Sequence, residues 1–134
     1  MKFSIKEIAE PSANSTARKV AIPSMKPVQE TLKQMESDKI IEKVTHPTDW
    51  VSPMVPVPKK DSSKVRICVD YRKLNRSLKR ENLDIPTFDQ LSSKLCDATV
   101  FSKLDASSGY FQIPIDEESR DLTTFITPFG RYRF

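Results

Sequence analysis

A chain of 134 residues with 37% hydrophobic content is long enough to form one domain around its own core. Its 22 basic and 18 acidic residues leave only +4 net charge, and Cys68 and Cys96 give neither a C-x-x-C metal pattern nor a disulfide framework. No apolar run reaches the about 18 residues of a membrane span and MKFSIKEIAE lacks the apolar stretch of a secretory signal, so a soluble protein in a reducing intracellular setting is expected.

The first 24 residues are small, polar and proline-containing without sustained periodicity, which predicts an extended leader lying over other elements. From Pro27, the residues Val28, Leu32 and Met35 fall at i, i+4 and i+7, one face of a helix that Pro27 is suited to begin. Ser37-Asp38-Lys39 offers no glycine for a left-handed cap, so the exit into Ile40-Ile41 is expected to be strained or open. Four prolines between Pro47 and Pro58 interrupt a β-rich stretch, and because proline cannot donate to a ladder, Met54 to Val57 is expected at a sheet edge. Val65, Ile67 and Val69 alternate with Arg66, Cys68 and Asp70, a strand with one apolar face, and Asp61-Ser62-Ser63-Lys64 would join the two strands as a hairpin.

The positive charge is concentrated here. Between Lys59 and Arg80 stand nine basic residues and two acids, a net +7 that leaves the rest of the chain at −3. Such a stripe suits phosphate-backbone binding through counterion release, and it equally suits a solvated face that serves solubility.

Further on, Thr87-x-x-Gln90 has capping-box spacing, and Phe88, Leu91 and Leu95 predict a short amphipathic helix. Ala98 to Asp105 reads as a strand running into a sharp Ser107-Ser108-Gly109 turn. An acidic helical turn at Asp116 to Arg120 then precedes a strand from Thr123 to Thr127, a turn at Pro128-Phe129-Gly130 and a return strand at Arg131 to Phe134 that is expected to be cut off inside the element. Asp105, a carboxylate at a strand exit, could ligate a divalent metal, but an aspartate there is more commonly a turn or cap residue. Asp116, Glu117 and Glu118 are expected to face solvent, Trp50 to serve packing and His46 to be a polar surface residue.

The strings WVSPMVPVPKKDSSKVRICVDYRKLN (50–75) and ATVFSKLDASSGYFQIPIDEESRDLTTFITPFGRYRF (98–134), with ARKVAIP (17–23) and KPVQETLKQMESDKIIEKVTHPTDW (26–50) as lead-in, resemble the reverse transcriptase of gypsy-type long-terminal-repeat retrotransposons. The resemblance implies an α+β fold that is part of a right-hand polymerase, an incomplete antiparallel sheet with flanking helices. It divides the chain into the leader (1–24), fingers (25–80), the start of the palm with the first catalytic aspartate (81–112) and a truncated second fingers segment (113–134). It implies an RNA-directed DNA polymerase working by two-metal nucleotidyl transfer, part of a Pol polyprotein that also carries the remaining palm, thumb, ribonuclease H and integrase.

Position by position, the resemblance makes Asp105 the catalytic aspartate, holding Mg2+ together with the carbonyl of Ala106. Arg66, Tyr110 and either Lys59 or Lys60, with Lys59 favoured, would contact the incoming deoxynucleoside triphosphate, the Tyr110 ring as a steric gate against ribonucleotides; its plainer role is a buried aromatic of the palm core. Asp70, Tyr71, Arg72 and Asn75 would cradle the RNA or DNA template with its primer, a nearly equal reading of Asp70 being a simple pair with a neighbouring arginine. The family commonly has glycine before the Ile-Ile pair and in the fingers hairpin, where this chain has Lys39 and Ser62-Ser63. The family's Tyr-x-Asp-Asp motif does not occur in these residues, so the chain by itself is expected to be inactive, a non-catalytic nucleic-acid-binding remnant being the alternative. Cytoplasm or virus-like particles, with the nucleus as a further site, is the expected location.

Overall fold

The computed structural model describes residues 1–59, 64–80, 83–96 and 98–134. The chain divides into two units, Met1–Lys79 with Pro114–Phe134, and Arg80–Ile113.

In the first unit, helix α1 (Ile22–Ser37) buries Val28, Leu32 and Met35, the face that their spacing predicts. It begins five residues before Pro27. Pro23 fits the first turn equally well, and Pro27 is carried inside at the loss of one backbone donor. The exit is neither open nor capped by glycine. Lys39 takes a left-handed conformation, with φ 57°. Its N–H donates to the Glu36 carbonyl at 3.1 Å and that of Ile40 to the Met35 carbonyl at 2.9 Å. This is the bond pattern of a Schellman cap, in which the left-handed site costs any side chain with a Cβ.

Five strands follow: β1 (Glu42–Lys43), β2 (Ser52–Pro58), β3 (Val65–Val69), β4 (Phe125–Thr127) and β5 (Gly130–Arg133). They form one sheet in the order β1-β5-β4-β2-β3. The expected antiparallel pairing holds at three junctions, while β2 and β4 run parallel, so the sheet is mixed. Gly130, with φ 119°, closes the tight β4–β5 turn in a conformation that glycine alone adopts cheaply.

The expectation of an edge position for Met54 to Val57 is corrected: β2 lies between β3 and β4. The prolines are accommodated because the two ladders are offset, β4 reaching only Ser52 and Pro53 while β3 pairs from Met54 to Pro58. The Ser52 N–H donates toward β4, to the Thr124 carbonyl at 2.9 Å, so alternate residues 56 and 58 also direct their nitrogens to that side, beyond the end of β4. Proline there forfeits no ladder bond.

The core gathers Val28, Leu32, Met35, Ile41, Met54, Val65, Ile67, Phe125 and Tyr132 between α1 and the sheet. Phe125 is 0% exposed and stacks on its cross-strand partner Tyr132 at 6.0 Å between ring centroids. A buried pair of that kind contributes about 0.5–1.5 kcal/mol beyond its area burial. The hairpin turn predicted at Asp61-Ser62-Ser63-Lys64 lies largely outside the described residues. After β3 come helix α2 (Arg72–Ser77), anchored by buried Leu74, and later α4 (Glu117–Arg120), which Asp116 caps by accepting the Glu118 N–H. Residues Asp121–Thr123 form a 3-10 turn, so β4 starts at Phe125 rather than Thr123.

The second unit carries helix α3 (Phe88–Lys94). Its capping box is present, with the Thr87 N–H donating to Gln90 Oε1 at 2.8 Å and the Gln90 N–H to Thr87 Oγ1 at 3.4 Å. The strand expected from Ala98 to Asp105 is not formed: its described residues have no regular structure. An extended segment becomes a strand only against a hydrogen-bonding neighbour, and among the described residues none pairs with it. Val100, Phe101 and Leu104 are exposed instead. No helix among the described residues is long and apolar enough to cross a membrane.

Lys39→Gly is expected to stabilise the chain by about 0.5–1 kcal/mol, since glycine removes the left-handed penalty and gives back part of the gain in unfolded-chain entropy. Urea unfolding followed by the fluorescence of buried Trp50 measures it, and an unchanged or lower midpoint would contradict the left-handed cap.

Candidate functional site

Strand β3 sends Val65 and Ile67 into the core and leaves Arg66 exposed on the opposite face. Arg66 is the register partner of Val57, and Lys59 follows Pro58, the last residue of β2, where strand alternation continues the face of Val57 and Arg66; Lys60 lies outside the described residues. The backbone there is closed by the Lys59 N–H donating to the Lys64 carbonyl at 3.2 Å.

Asp70 follows β3 and does three things with one carboxylate. It accepts the Arg72 backbone N–H at 3.3 Å, an Asx-type turn that leads into α2. It also takes the Arg72 guanidinium side-on, from Nε to Oδ1 at 2.8 Å and from Nη2 to Oδ2 at 2.7 Å. Finally, Oδ2 accepts Nη2 of Arg18, from the leader, at 2.9 Å. The Asp70 side chain is 14% exposed, while those of Arg72 and Arg18 are 78% and 48% exposed, so the carboxylate forms the floor and the guanidiniums the rim. The Arg72 hydrogen bonds hold the Asp70 carboxyl well below the usual carboxylate range; partial desolvation opposes them and the Arg18 charge assists.

Tyr71 turns inward. Its hydroxyl donates to the Thr123 carbonyl at 2.6 Å, and burial pushes the phenol far above its ordinary pKa, so the group is a neutral donor tying the start of α2 to the 3-10 turn before β4. Asn75 is exposed one turn along α2, its backbone N–H bonded to the Tyr71 carbonyl at 2.7 Å. Of the four residues expected to act together, the structure thus joins Asp70 and Arg72 directly, places Asn75 on the surface and gives Tyr71 an internal partner.

The leader is bonded along this side of the unit. Lys6 N–H donates to the Ser77 carbonyl, Lys79 N–H to that of Ser4, Val51 N–H to that of Ser12, and Asn14 N–H to that of Val51. Lys73 Nζ reaches Ser12 Oγ at 3.1 Å. Nothing local in the sequence marks Arg18 as a partner of Asp70, because the contact spans distant positions and obeys no helical or strand period.

Asp105, Ala106 and Tyr110 belong to the second unit, and all three are exposed. Past Ala106 the chain turns with Ser108 at φ 51° into a 3-10 helix, Gly109–Gln112, pinned by Gln112 Nε2 donating to the Ser107 carbonyl at 2.7 Å. The predicted sharp turn is present, with the left-handed residue at Ser108 rather than at glycine. Tyr110 is 93% exposed. Among the described residues, no group of three or more His, Cys, Asp or Glu side chains is placed to hold a metal ion. Asp105 and the Ala106 carbonyl are hard oxygen donors of the type magnesium takes, but a single carboxylate is fewer than two-metal chemistry requires.

A second charged cluster, absent from the sequence expectations, surrounds Arg133. Its Nε donates to Glu42 at 2.6 Å, Nη1 to Asp121 at 2.8 Å and Nη2 to Glu117 at 2.9 Å. Arg120 also bonds Glu117, and His46 Nε2 lies 3.1 Å from Asp121. Glu117 and His46 are exposed, as expected, and each also has a charged or hydrogen-bonding partner that the sequence does not reveal.

A family model described as reverse transcriptase (RNA-dependent DNA polymerase) matches residues 57–133. The chain is 38% identical over 112 residues to the retrovirus-related Pol polyprotein from transposon 412 of Drosophila melanogaster, which covers 80% of this chain and 9% of that protein. It is 39% identical over 70 residues to an RNA-directed DNA polymerase homolog of Oenothera berteroana, covering 52% of this chain and 49% of that one. In three dimensions it resembles a foamy viral protease-reverse transcriptase solved in complex with double-stranded DNA, with a TM-score of 0.66 at 18% identity, over 98% of this chain and 21% of that one.

The Asp70 geometry carries a signed pH dependence. Because the folded carboxyl titrates below its unfolded value of about 3.9, its stabilisation is complete above that value and fades as pH falls beneath it. Asp70→Asn is accordingly expected to narrow the stability gap to the unsubstituted chain between about pH 5 and pH 2, measured by denaturant unfolding at each pH. A gap independent of pH would mean that the Asp70 carboxylate is not paired in the folded state.

Proposed function

The chain belongs to the reverse transcriptase (RNA-dependent DNA polymerase) family, and from that premise we propose that it acts within a longer Pol polyprotein as the part that grips template and incoming nucleotide during DNA synthesis. The observation that carries the proposal is the placement of Arg66 on the outer face of β3 and of Lys59 just past β2 where that face continues, followed at the end of β3 by the Asp70–Arg72 pair. A planar guanidinium there can stack on a base and bond a phosphate, and Lys59 offers a point charge for a terminal phosphate.

In this reading, Arg72 and Asn75 meet the template strand through contacts independent of sequence, which is what copying an arbitrary template demands, while Asp70 holds Arg72 from behind. Tyr71 acts from beneath, holding the turn by its bond to Thr123. Tyr110, exposed on its 3-10 turn, is the steric gate that leaves no room for a 2′-hydroxyl. Asp105 and the Ala106 carbonyl would supply two of the oxygens around magnesium. The chemistry magnesium supplies when bound is charge neutralisation on the triphosphate and alignment of the 3′-hydroxyl for in-line attack. Because the described residues bring one carboxylate to that position, the further carboxylates are assigned to the rest of the polyprotein, as are ribonuclease H and integrase. The partners are thus an RNA or DNA template with its primer, deoxynucleoside triphosphates and the remaining Pol segments, inside the cell or in virus-like particles. The 134 residues span 9% of the transposon 412 polyprotein, so synthesis is proposed for the longer product and nucleic-acid binding for this chain.

In the intact polyprotein, Asp105→Asn is expected to reduce primer extension at least about 1000-fold, on the order of an essential transition-state electrostatic contact, while template affinity changes less than about threefold. Parallel loss of synthesis and binding would instead assign Asp105 a structural role. For the 134-residue chain, affinity for a primed RNA template should fall steeply between about 50 and 200 mM salt, and absence of binding at the lower value would remove the nucleic-acid reading.

A further inference from the structure

We propose that the leader is part of the template-binding surface: Arg18, fixed by the Asp70 carboxylate beside Arg72, is a phosphate-binding residue, and Asp70 positions both arginines rather than touching the template itself. The inference rests on the nucleic-acid reading above and deepens it at the same site.

Three observations carry it. First, one largely buried carboxylate receives three hydrogen bonds from two guanidiniums whose outer faces are open. Arginine has five N–H donors; Arg72 directs two at Asp70 and Arg18 one, so donors remain on both for a further anion. Two cations against one carboxylate also leave a local excess of positive charge, which a phosphate would neutralise.

Second, these side chains border a groove of about 290 Å3 whose other charged residues are Lys73 and Arg76, making four cations against Asp70 as the sole acid among its lining residues. Ser12 and Asn14 of the leader form part of the same wall. A polyanion fits such a lining better than a neutral ligand, and four cations against one acid suit a sugar–phosphate backbone.

Third, the leader is held on the unit by backbone bonds, with Val20 packed against the core just beyond Arg18. Ser12 and Asn14 are tied to Val51, and Lys6 to Ser77. Arg18 therefore reaches Asp70 from a strand-like support on the same unit, and its guanidinium need not be ordered anew when a ligand arrives.

The test is fluorescence anisotropy of the whole 134-residue chain on an oligo(dT)-primed oligo(rA) template between about 50 and 200 mM KCl. Arg18→Ala is expected to weaken binding about three- to tenfold at the lower salt and to make the slope of log K against log salt shallower by about 0.7–0.9, the signature of one fewer phosphate neutralised. Arg18→Lys keeps the charge without the fork, and should recover the slope while leaving affinity below that of the unsubstituted chain. Asp70→Asn separates positioning from charge. It adds one net positive charge, so simple attraction predicts tighter binding, whereas release of both guanidiniums from the clamp predicts binding weakened several-fold. Tighter binding by Asp70→Asn, or an unchanged slope in Arg18→Ala, overturns the inference while the binding function stands. Absence of binding by the unsubstituted chain overturns both. Each variant is checked for folding by Trp50 fluorescence, so that unfolding is not mistaken for a weakened grip on phosphate.

Discussion

The parallel junction between β2 and β4 is the constraint on which the first unit depends. Residues 52 and 53 meet residues 125 and 126, so two stretches far apart in the chain become neighbours in one sheet. Loop closure over such a separation is costly in entropy, though the cost grows only slowly with length. Phe125, with no exposed surface, offsets it by joining the core from the return side, where it packs on Tyr132 and Phe134. The core that α1 needs for its apolar face is completed only when this junction forms. The same junction brings Thr123 within reach of Tyr71, and thereby fixes the turn that presents Asp70 and Arg72.

Two carboxylate–guanidinium assemblies then use this frame differently. Around Arg133, itself 15% exposed, three carboxylates converge from β1, α4 and the 3-10 turn after it, with Arg120 balancing part of the negative charge and His46 within hydrogen-bond distance of Asp121. Such a network orders the ends of elements that have little apolar surface to bury, and the shared cation lowers the entropy cost of each added pair. At Asp70 the proportions are reversed, with one acid and two arginines. At Arg133 every carboxylate is bonded to at least one arginine, whereas at Asp70 the two guanidiniums keep donors that no acid among the described residues engages. Excess charge left on a surface is available to a ligand, and this asymmetry is why binding is assigned to the second assembly and fold maintenance to the first.

The parts of this structure legible from the residues were those governed by local period. Val28, Leu32 and Met35 announced the buried face of α1, the alternation from Val65 to Val69 announced β3, and Thr87 with Gln90 announced a capping box. What escaped depended on partners remote in sequence. Prolines at 53, 56 and 58 argued for a sheet edge, yet offset ladders let them sit inside it. Lys39 showed no sign of a left-handed cap because the bonds to Met35 and Glu36, not its own preference, hold it there. The partners of His46 and Arg18 could not be read from the sequence because their acids lie 75 and 52 positions away. The family motifs named Asp70 and Arg72 as a site and a pair with a neighbouring arginine was legible, but only the geometry shows Arg18 joining it.

The segment from Ala98 to Asp105 shows why a motif is not yet a site. None of the buried hydrophobic residues of the described chain lies between Arg80 and Ile113, whereas Val100 and Leu104 are 83% and 96% exposed. A stretch of that length without a core cannot offset its conformational entropy by burial, and covering each such side chain would contribute about 1.5–3 kcal/mol. A metal-binding carboxylate must be held within a fraction of an ångström by side chains that are themselves packed. Order at Asp105 therefore has to come from burial of its apolar neighbours, while Arg66 and Asp70 already stand on a sheet whose core is complete. The gripping half of the proposed chemistry is built into the folded first unit; the reacting half depends on packing still to be added around residues 98–105.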